Sequence, residues 1–402
     1  MTTMTYAPGP LLSSVTPDLA DHVRRTGGLP WQGPGGRLIG LLEQAGLTGR
    51  GGAGFPTWRK LAAVAVGARP VVIGNGAEGE PASAKDGTLL TRSPHLVLDG
   101  LQLAAEAVGA ADCYLYVSGR VVEHVRHAAA ERAGRDRFAV TVVVAPDRFV
   151  AGEESAAIAA IAGRKALPTD KAQLVVQSGL RGRPTLVQNV ETLAHIAVIA
   201  QCGAAAFRRS GTGAEPGSFL ATLGGAVPAP GVYEAPYGIR IGKLLALAGG
   251  PAVPLSAVLV GGYHGAWLPI ADALAAPMSR AGLAPFGATP GAGIVRALPV
   301  SHCGLAETAR ITDYLAAQSA KQCGPCRNGL PLMAQTLHRL AVGDRDRGLP
   351  EHVARLSALV VNRGACHHPD GTVRLVSSAM RVFAVEVDLH LAGRCSAAEG
   401  TR

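Results

Sequence analysis

Three cysteines could converge on one metal centre: the pair in Cys323-Gly-Pro-Cys326, and Cys366 in the downstream run Cys366-His367-His368. A C-x-x-C spacing puts two thiolates on one ion or cluster, and a distant third closes a loop around it. Zinc takes four nitrogen or sulfur ligands and would accept three cysteines with one histidine. Iron–sulfur clusters use the same spacing, usually with four cysteines. A thioredoxin-like dithiol requires a neighbouring strand–helix–strand unit, and the helical pattern around Cys323 does not supply one. Cys113, Cys202, Cys303 and Cys395 read as small buried or surface residues.

Phosphate chemistry is the second possibility. Gly49-Arg50-Gly51-Gly52-Ala53-Gly54 satisfies G-x-G-x-x-G, although glycines also collect in ordinary turns. A dinucleotide fingerprint should follow a strand, whereas here a helical pattern precedes the loop. The physical use of the glycines survives, because small residues let backbone N–H groups close on an anion. Thr57 is placed to cap the next helix, whose N-terminus favours anions, and Lys60 would reach the same phosphate one turn in. Asn75-Gly-Ala-Glu78-Gly-Glu80 follows an apolar run directly, and the C-terminal end of a strand is where α/β proteins place ligand contacts. It reads equally as a charged turn. Gly152-Glu153-Glu154-Ser155 suits a helix N-terminus for dipole reasons alone. Gln188-Asn189-Val190-Glu191-Thr192 reads as well as the start of a surface helix.

The elements that must position these groups alternate between two periods. Leu38, Ile39, Leu41, Leu42 and Ala45 keep a helical stripe. Strands are expected at Pro70–Asn75, Cys113–Val117 and Phe138–Ala145, with helices over His95–Ala110 and Arg120–Ala133 between them. That alternation predicts an α/β domain over 36–210, behind an irregular segment 1–35. Short strands divided by Gly/Pro turns follow, around a helix at Lys243–Ala248, and resemble a small β-grasp module over 211–300. From 301 to 402 the pattern is helical, with breaks at Gly324-Pro325, 343–350 and 364–371, which predicts a bundle.

At 402 residues, with 48% hydrophobic residues, the chain predicts more than one core. Its net charge of +9 comes from scattered arginines without interleaved aromatics, so no nucleic-acid groove is expected. A diffuse basic surface suits acidic proteins or phosphate-bearing cofactors. No run reaches the roughly 18 apolar residues of a membrane span, and Met1–Leu12 does not read as a signal peptide. A cytoplasmic location with reduced or metal-bound cysteines follows as the expectation.

Taken together and in order, Gly46–Thr57, Asn75–Asp86, Gly152–Glu154, Gly179–Leu193 and Ser319–Gly329 resemble the NADH-binding flavoprotein subunit of respiratory complex I and its relatives in soluble hydrogenases and formate dehydrogenases. The resemblance runs from about residue 36 to residue 391. It implies an FMN-binding α/β domain, a β-grasp module of the soluble-ligand-binding type, and a helical bundle with one iron–sulfur cluster (4Fe–4S). For FMN it implies Gly49, Arg50, Gly51, Gly52 and Lys60 near phosphate, with Asn75, Glu78, Gly152, Glu153, Glu154, Asn189 and Thr192 around the flavin. For NADH it implies Gly52, Ala53, Phe55, Glu80, Glu154 and Lys171. NADH would pass a hydride to the flavin, and the electrons would leave singly through the cluster to a partner protein, ferredoxin-like or another redox protein.

The chain departs from the family in places. Ala63 stands where a second aromatic is usual, and Ala172-Gln173-Leu174 replaces Pro-Pro-Phe. Each missing stack forgoes roughly 0.5–1.5 kcal/mol. Ala77 replaces an aspartate, and Trp58 stands at a usual glycine. Ala320 takes the place of the first cluster cysteine, leaving Cys323, Cys326 and Cys366. His367 or His368, an exogenous ligand, or a three-iron cluster (3Fe–4S) would then complete the site. Cys303, a long helix away from Ala320, would not. Two rivals remain beside electron transfer: a non-catalytic docking module of the same fold, and a zinc-stabilised module.

Overall fold

The computed structural model describes residues 9–14, 16–170 and 173–399, and the chain divides into two compact units. The first runs up to Ala221 and includes Val232–Gly238; the second holds Thr222–Gly231 and the chain from Ile239 onward.

The first unit contains α1 (Leu19–Thr26), α2 (Gly36–Ala45), α3 (Thr57–Ala65), β1 (Val71–Gly76), α4 (Lys85–Arg92), α5 (Pro94–Val108), β2 (Asp112–Ser118), α6 (Val122–Glu131), β3 (Val140–Ala145), α7 (Glu154–Ile161), β4 (Thr185–Asn189) and α8 (Val190–Phe207). The four strands form a wholly parallel sheet in the order β3-β2-β1-β4. Alternation along the strands sends Val72, Leu115 and Val117 to a core shared with α5 and α8, while Val71, Ile73, Tyr116 and Val187 pack with Ala157 and Ile158 of α7. Burial on both faces explains why β1 reads as a continuous apolar run. All of α5 is buried. It meets α8 so closely that a Cβ on Gly100 would lie 1.8 Å from the Leu193 carbonyl oxygen.

Two expectations change here. The segment called irregular contains α1, which lacks an apolar stripe because its buried residues are Asp21 and His22. Asp21 pairs with Arg24 and Arg25, and His22 with Asp99, so polar pairing replaces the hydrophobic period. The 18-residue α8 is also long and apolar enough to span a bilayer. Its length escapes a search for uninterrupted apolar residues because Glu191, Thr192 and His195 interrupt the run. All three are buried, and α8 packs in this unit's core rather than opening a surface helix.

The boundary divides β5 (Ser218–Gly225) at Thr222 and leaves nearly all of β6 (Gly231–Pro236) in the first unit; the second goes on with α9 (Ile241–Leu247), β7 (Leu255–Val260), β8 (Ala266–Pro269), the one-turn helices α10 (Ile270–Ala273) and α11 (Arg280–Leu283), and β9 (Ile294–Pro299). Residues Thr222–Gly225 pair with β9 in parallel, β9 pairs with β7 antiparallel, and β7 pairs with β8 antiparallel. The helices α12 (Gly304–Gln318), α13 (Leu330–Ala341), α14 (Leu349–Val360), α15 (His368–Val382) and α16 (Ala384–Leu391) follow. Leu330, Met333, Leu337, Val353, Leu356 and Val376 fill their shared core. The chain thus joins a parallel α/β sheet to a mixed sheet and a helical region.

Candidate functional site

In the order β3-β2-β1-β4 the chain reverses direction across the sheet between β1 and β4, and the crevice outside the carboxyl ends of such neighbours is where open α/β sheets bind ligands. Asn75 and Asn189 are register partners at that point. Asn189 is also the N-cap of α8, accepting from the Glu191 amide at 3.0 Å. Its Nδ2 donates to Asp86 Oδ2 at 2.9 Å and to the Asn75 carbonyl at 3.2 Å. Asn75 Nδ2 donates to the Gly152 carbonyl at 2.8 Å, which brings the third motif to the same strand end.

The glycine loop closes on this corner. Thr48 and Pro56 bridge its two arms, the Gly49 amide donates to the Phe55 carbonyl at 2.9 Å, and the Arg50 amide donates to Thr192 Oγ1 at 2.8 Å. A Cβ on Gly51 would lie 3.4 Å from Asn189 Cβ, and Gly52 takes a φ of 103° that only glycine adopts readily. Arg50 is buried: its guanidinium sits 4.5 Å from the Tyr237 ring and donates to the Pro216 carbonyl, so it anchors the loop from within. Gly51, Ala53 and Phe55 are exposed. Pro56 is the N-cap of α3 and Thr57 its first residue; Thr57 therefore does not cap the helix, and its buried Oγ1 has no partner. Lys60 Nζ donates to Glu154 Oε1 at 2.7 Å and to the Val187 carbonyl at 3.3 Å.

The acidic members of the site hold backbone. Glu153 caps α7, accepting from the Ser155 and Ala156 amides. Glu78 accepts from the Asp86 and Gly87 amides and from Ser83 Oγ; burial and the neighbouring Asp86 charge push its carboxyl above the usual range, against those bonds and Lys85. Glu80 accepts from the Ala82 amide at 3.2 Å. Gly152 is confined, since a Cβ would come 2.7 Å from the Ala77 carbonyl oxygen. Lys171, expected at the NADH side, lies outside the described residues.

The sequence does not single out Lys85. It is buried, with Nζ 2.7 Å from Asp86, 2.9 Å from Glu191 and 3.1 Å from Asn189 Oδ1. Burial pulls its ammonium pKa down, but the two carboxylates more than offset this and hold it above the ordinary lysine value. Glu191 in turn accepts from the Leu220 amide at 2.9 Å. The one signal is a Lys-Asp pair opening the short helix α4.

In the second unit, Cys323 and Cys326 flank the start of a single π-helical turn (Pro325–Gly329) before α13, and Cys366 precedes α15. Cys326 and Cys366 are buried. Burial raises the Cys323 thiol, yet hydrogen bonds from the Cys326 and Ala365 backbone, the Cys326 side chain and its own amide bring it below the ordinary value. Cys326 is pushed up to about 12 by burial and by the charges of Cys323 and Cys366, against a backbone hydrogen bond from Ala320. The position of the absent cysteine therefore abuts the site. His368 does not complete it: Nε2 faces the Leu315 carbonyl at 2.9 Å and Nδ1 faces His264 at 3.1 Å. His367 is exposed and paired with Asp370.

A glycine loop closing on a parallel-sheet switch point and three cysteines in a helical region fit a nucleotide-cofactor and cluster-bearing redox protein. Residues 42–198 match the Nuo51 FMN-binding domain, and residues 306–390 match the NADH-ubiquinone oxidoreductase-F iron-sulfur binding region. The chain is 31% identical to an F-type subunit of the NADH-quinone oxidoreductase of Rhizobium meliloti over 89% of both chains. It is 29% identical to the F-type subunit of the Streptomyces coelicolor enzyme over 89% of this chain and 83% of that one. An NAD+-reducing NiFe-hydrogenase in the air-oxidized state superposes with a TM-score of 0.86 at 32% identity, covering 95% of this chain and 67% of the other. This chain belongs to the family of F-type subunits of NADH-quinone oxidoreductases.

The residues fit both groups. Gly51 is exposed with room for a ligand where a side chain would stand, α3 presents an N-terminus without a side-chain cap, and Thr57 Oγ1 and Gln188 Nε2 are buried without partners. Cys323 and Cys366 both lie close enough to Cys326 for their charges to raise its thiol, and three such sulfur donors suit a cluster.

Proposed function

We propose that this protein takes electrons from NADH at an FMN held over the β1/β4 crevice and passes them through a cluster on Cys323, Cys326 and Cys366 to an electron-accepting partner protein in the cytoplasm. The observation that carries the reading is the glycine loop seated on the Asn189 end of α8, beside Lys60 and Glu154. Bound FMN supplies hydride acceptance and single-electron release. The chain supplies position and charge. Gly49, Gly51, Gly52 and the start of α3 receive the phosphate, with Lys60 as counter-charge. Asn75, Glu78, Gly152, Glu153, Glu154, Asn189 and Thr192 border the flavin, and Arg50 braces the loop from beneath. Ala53, Phe55, Glu80 and Lys171 face the dinucleotide. No side chain acts as acid or base.

The mixed sheet with α9 is the β-grasp module, and the basic surface suits an acidic acceptor, ferredoxin-like or another redox protein. With Ala320 in place of a cysteine, the cluster has three protein thiolates and either a ligand from outside the chain or three irons. A second reading, a docking module without turnover, is favoured by Ala320 and by the exposed alanine at position 63.

The test is an absorption spectrum of anaerobically purified protein followed by NADH. Flavin bands and a broad iron–sulfur shoulder that bleach with NADH support the proposal. Bleaching with dithionite alone removes NADH as donor, and a colourless protein leaves the docking module.

A further inference from the structure

Two cysteines outside the cluster motif lie together at the two ends of the helical region. Cys303 is the N-cap of α12, and Cys395 follows α16. Both fall beyond the 306–390 iron–sulfur match. Glu386 and His390 sit one turn apart on α16 and complete a group whose four donor atoms all lie within 4.8 Å of one another. Cys303 Sγ is 3.4 Å from His390 Nε2, which is 3.1 Å from Glu386 Oε1. The edges of a tetrahedron around zinc, with sulfur and nitrogen at their usual distances, are about 3.3–3.8 Å.

The supporting contacts point the same way. His390 Nδ1 is 3.0 Å from the Leu340 carbonyl oxygen, which can only accept. That contact fixes a proton on Nδ1 and turns Nε2 toward Cys303 and Glu386, where it donates to the carboxylate until a metal ion takes the proton's place. Backbone-bonded imidazoles of this kind are the rule among metal ligands. Glu386 is held from outside by the Ser396 amide at 3.0 Å and by Ser396 Oγ. Cys303 Sγ accepts from the Ala306 amide at 3.5 Å. His390 and Glu386 are buried, while the two cysteines are half-buried and leave an entry path.

We propose that Cys303, Glu386, His390 and Cys395 form a zinc site distinct from the iron–sulfur cysteines, tying the first turn of the helical region to its last. Two thiolates select zinc over calcium or magnesium. Binding releases the two thiol protons and the His390 Nε2 proton to solvent and forms two Zn–S bonds, one Zn–N bond and one Zn–O bond, with no change of oxidation state.

The experiment is elemental analysis of the full chain, purified anaerobically, with iron and zinc counted separately. The expected result is about one zinc per chain, lost in the Cys303→Ser/Cys395→Ser double variant while iron and flavin stay. Cobalt added to chelator-treated protein should give a thiolate-to-cobalt charge-transfer band that the double variant lacks and Cys326→Ser retains. Should the double variant fail to fold, Ser396→Ala keeps all four ligands and should weaken cobalt binding about tenfold to a hundredfold. Wild-type protein with neither zinc nor a cobalt–thiolate band would mean that His390 and Glu386 form an ion pair only, overturning the site. Loss of zinc in Cys326→Ser but not in the double variant overturns it as well.

Discussion

Lys60 Nζ lies 2.7 Å from Glu154 Oε1, tying the helix after the glycine loop to the helix that Glu153 caps. Each side chain is about a quarter exposed, so the pair itself adds little stability, on the order of 1 kcal/mol or less. In the proposed function its value lies in placing one cation at the FMN phosphate. Lys60→Gln should therefore leave urea unfolding nearly unchanged while weakening FMN binding by roughly 1.5–3 kcal/mol, about tenfold to a hundredfold. Flavin fluorescence titration of the apoprotein measures this, and an unchanged Kd would remove Lys60 from the phosphate site.

The buried Lys85 neutralises Asp86 and Glu191 together. Lys85→Met strands two carboxylates in the core and should destabilise the first unit by about 3–5 kcal/mol in urea unfolding. Adding Glu191→Leu should return part of that loss, because one uncompensated charge is removed. A double variant less stable than the single one would contradict the ion-pair account.

Glu234 is buried, and burial pushes its carboxyl up to about 7, against hydrogen bonds from Ser218 Oγ and the Leu11 and Leu12 amides. Between the unfolded value of 4.5 and about 7 the folded state binds more protons than the unfolded one. The Glu234 contribution to stability therefore falls as pH rises through that window, by a few kcal/mol in all. Unfolding free energies measured from pH 4.5 to 8 should show this decline, and Glu234→Gln should flatten it. Identical pH slopes for the two proteins would discard the assignment.

Ala320 stands where the family places a cysteine, and its backbone already bonds to Cys326. Ala320→Cys should raise iron towards about four per chain and replace any three-iron EPR signal of the oxidised protein with the four-iron signal of the reduced one. Cys326→Ala should abolish the cluster and leave the flavin bound. Full iron retention in Cys326→Ala would sink the ligand assignment.

Much of the candidate site was legible in the residues. The glycine loop, the polar ends after β1 and before α8, and the cysteine trio each depend on short local spacings, and the order of the motifs carried the family resemblance. The apolar runs likewise announced β1, β2 and α5, because burial on both faces leaves a continuous hydrophobic signal. What local pattern could not convey was pairing between distant segments. Helix α1 was hidden because its buried face is ionic, satisfied by residues as remote as Asp99. Lys85 looks like any surface lysine until α8 brings Glu191 beside it. Arg50, beside the expected phosphate in sequence, turns inward because Tyr237 and the Pro216 carbonyl offer it partners. Cys303, far from His390 and Cys395 in the chain, became their neighbour only when α12 and α16 packed. Local spacing is written in one dimension; the company that a buried charge or thiol keeps is decided by which helices meet.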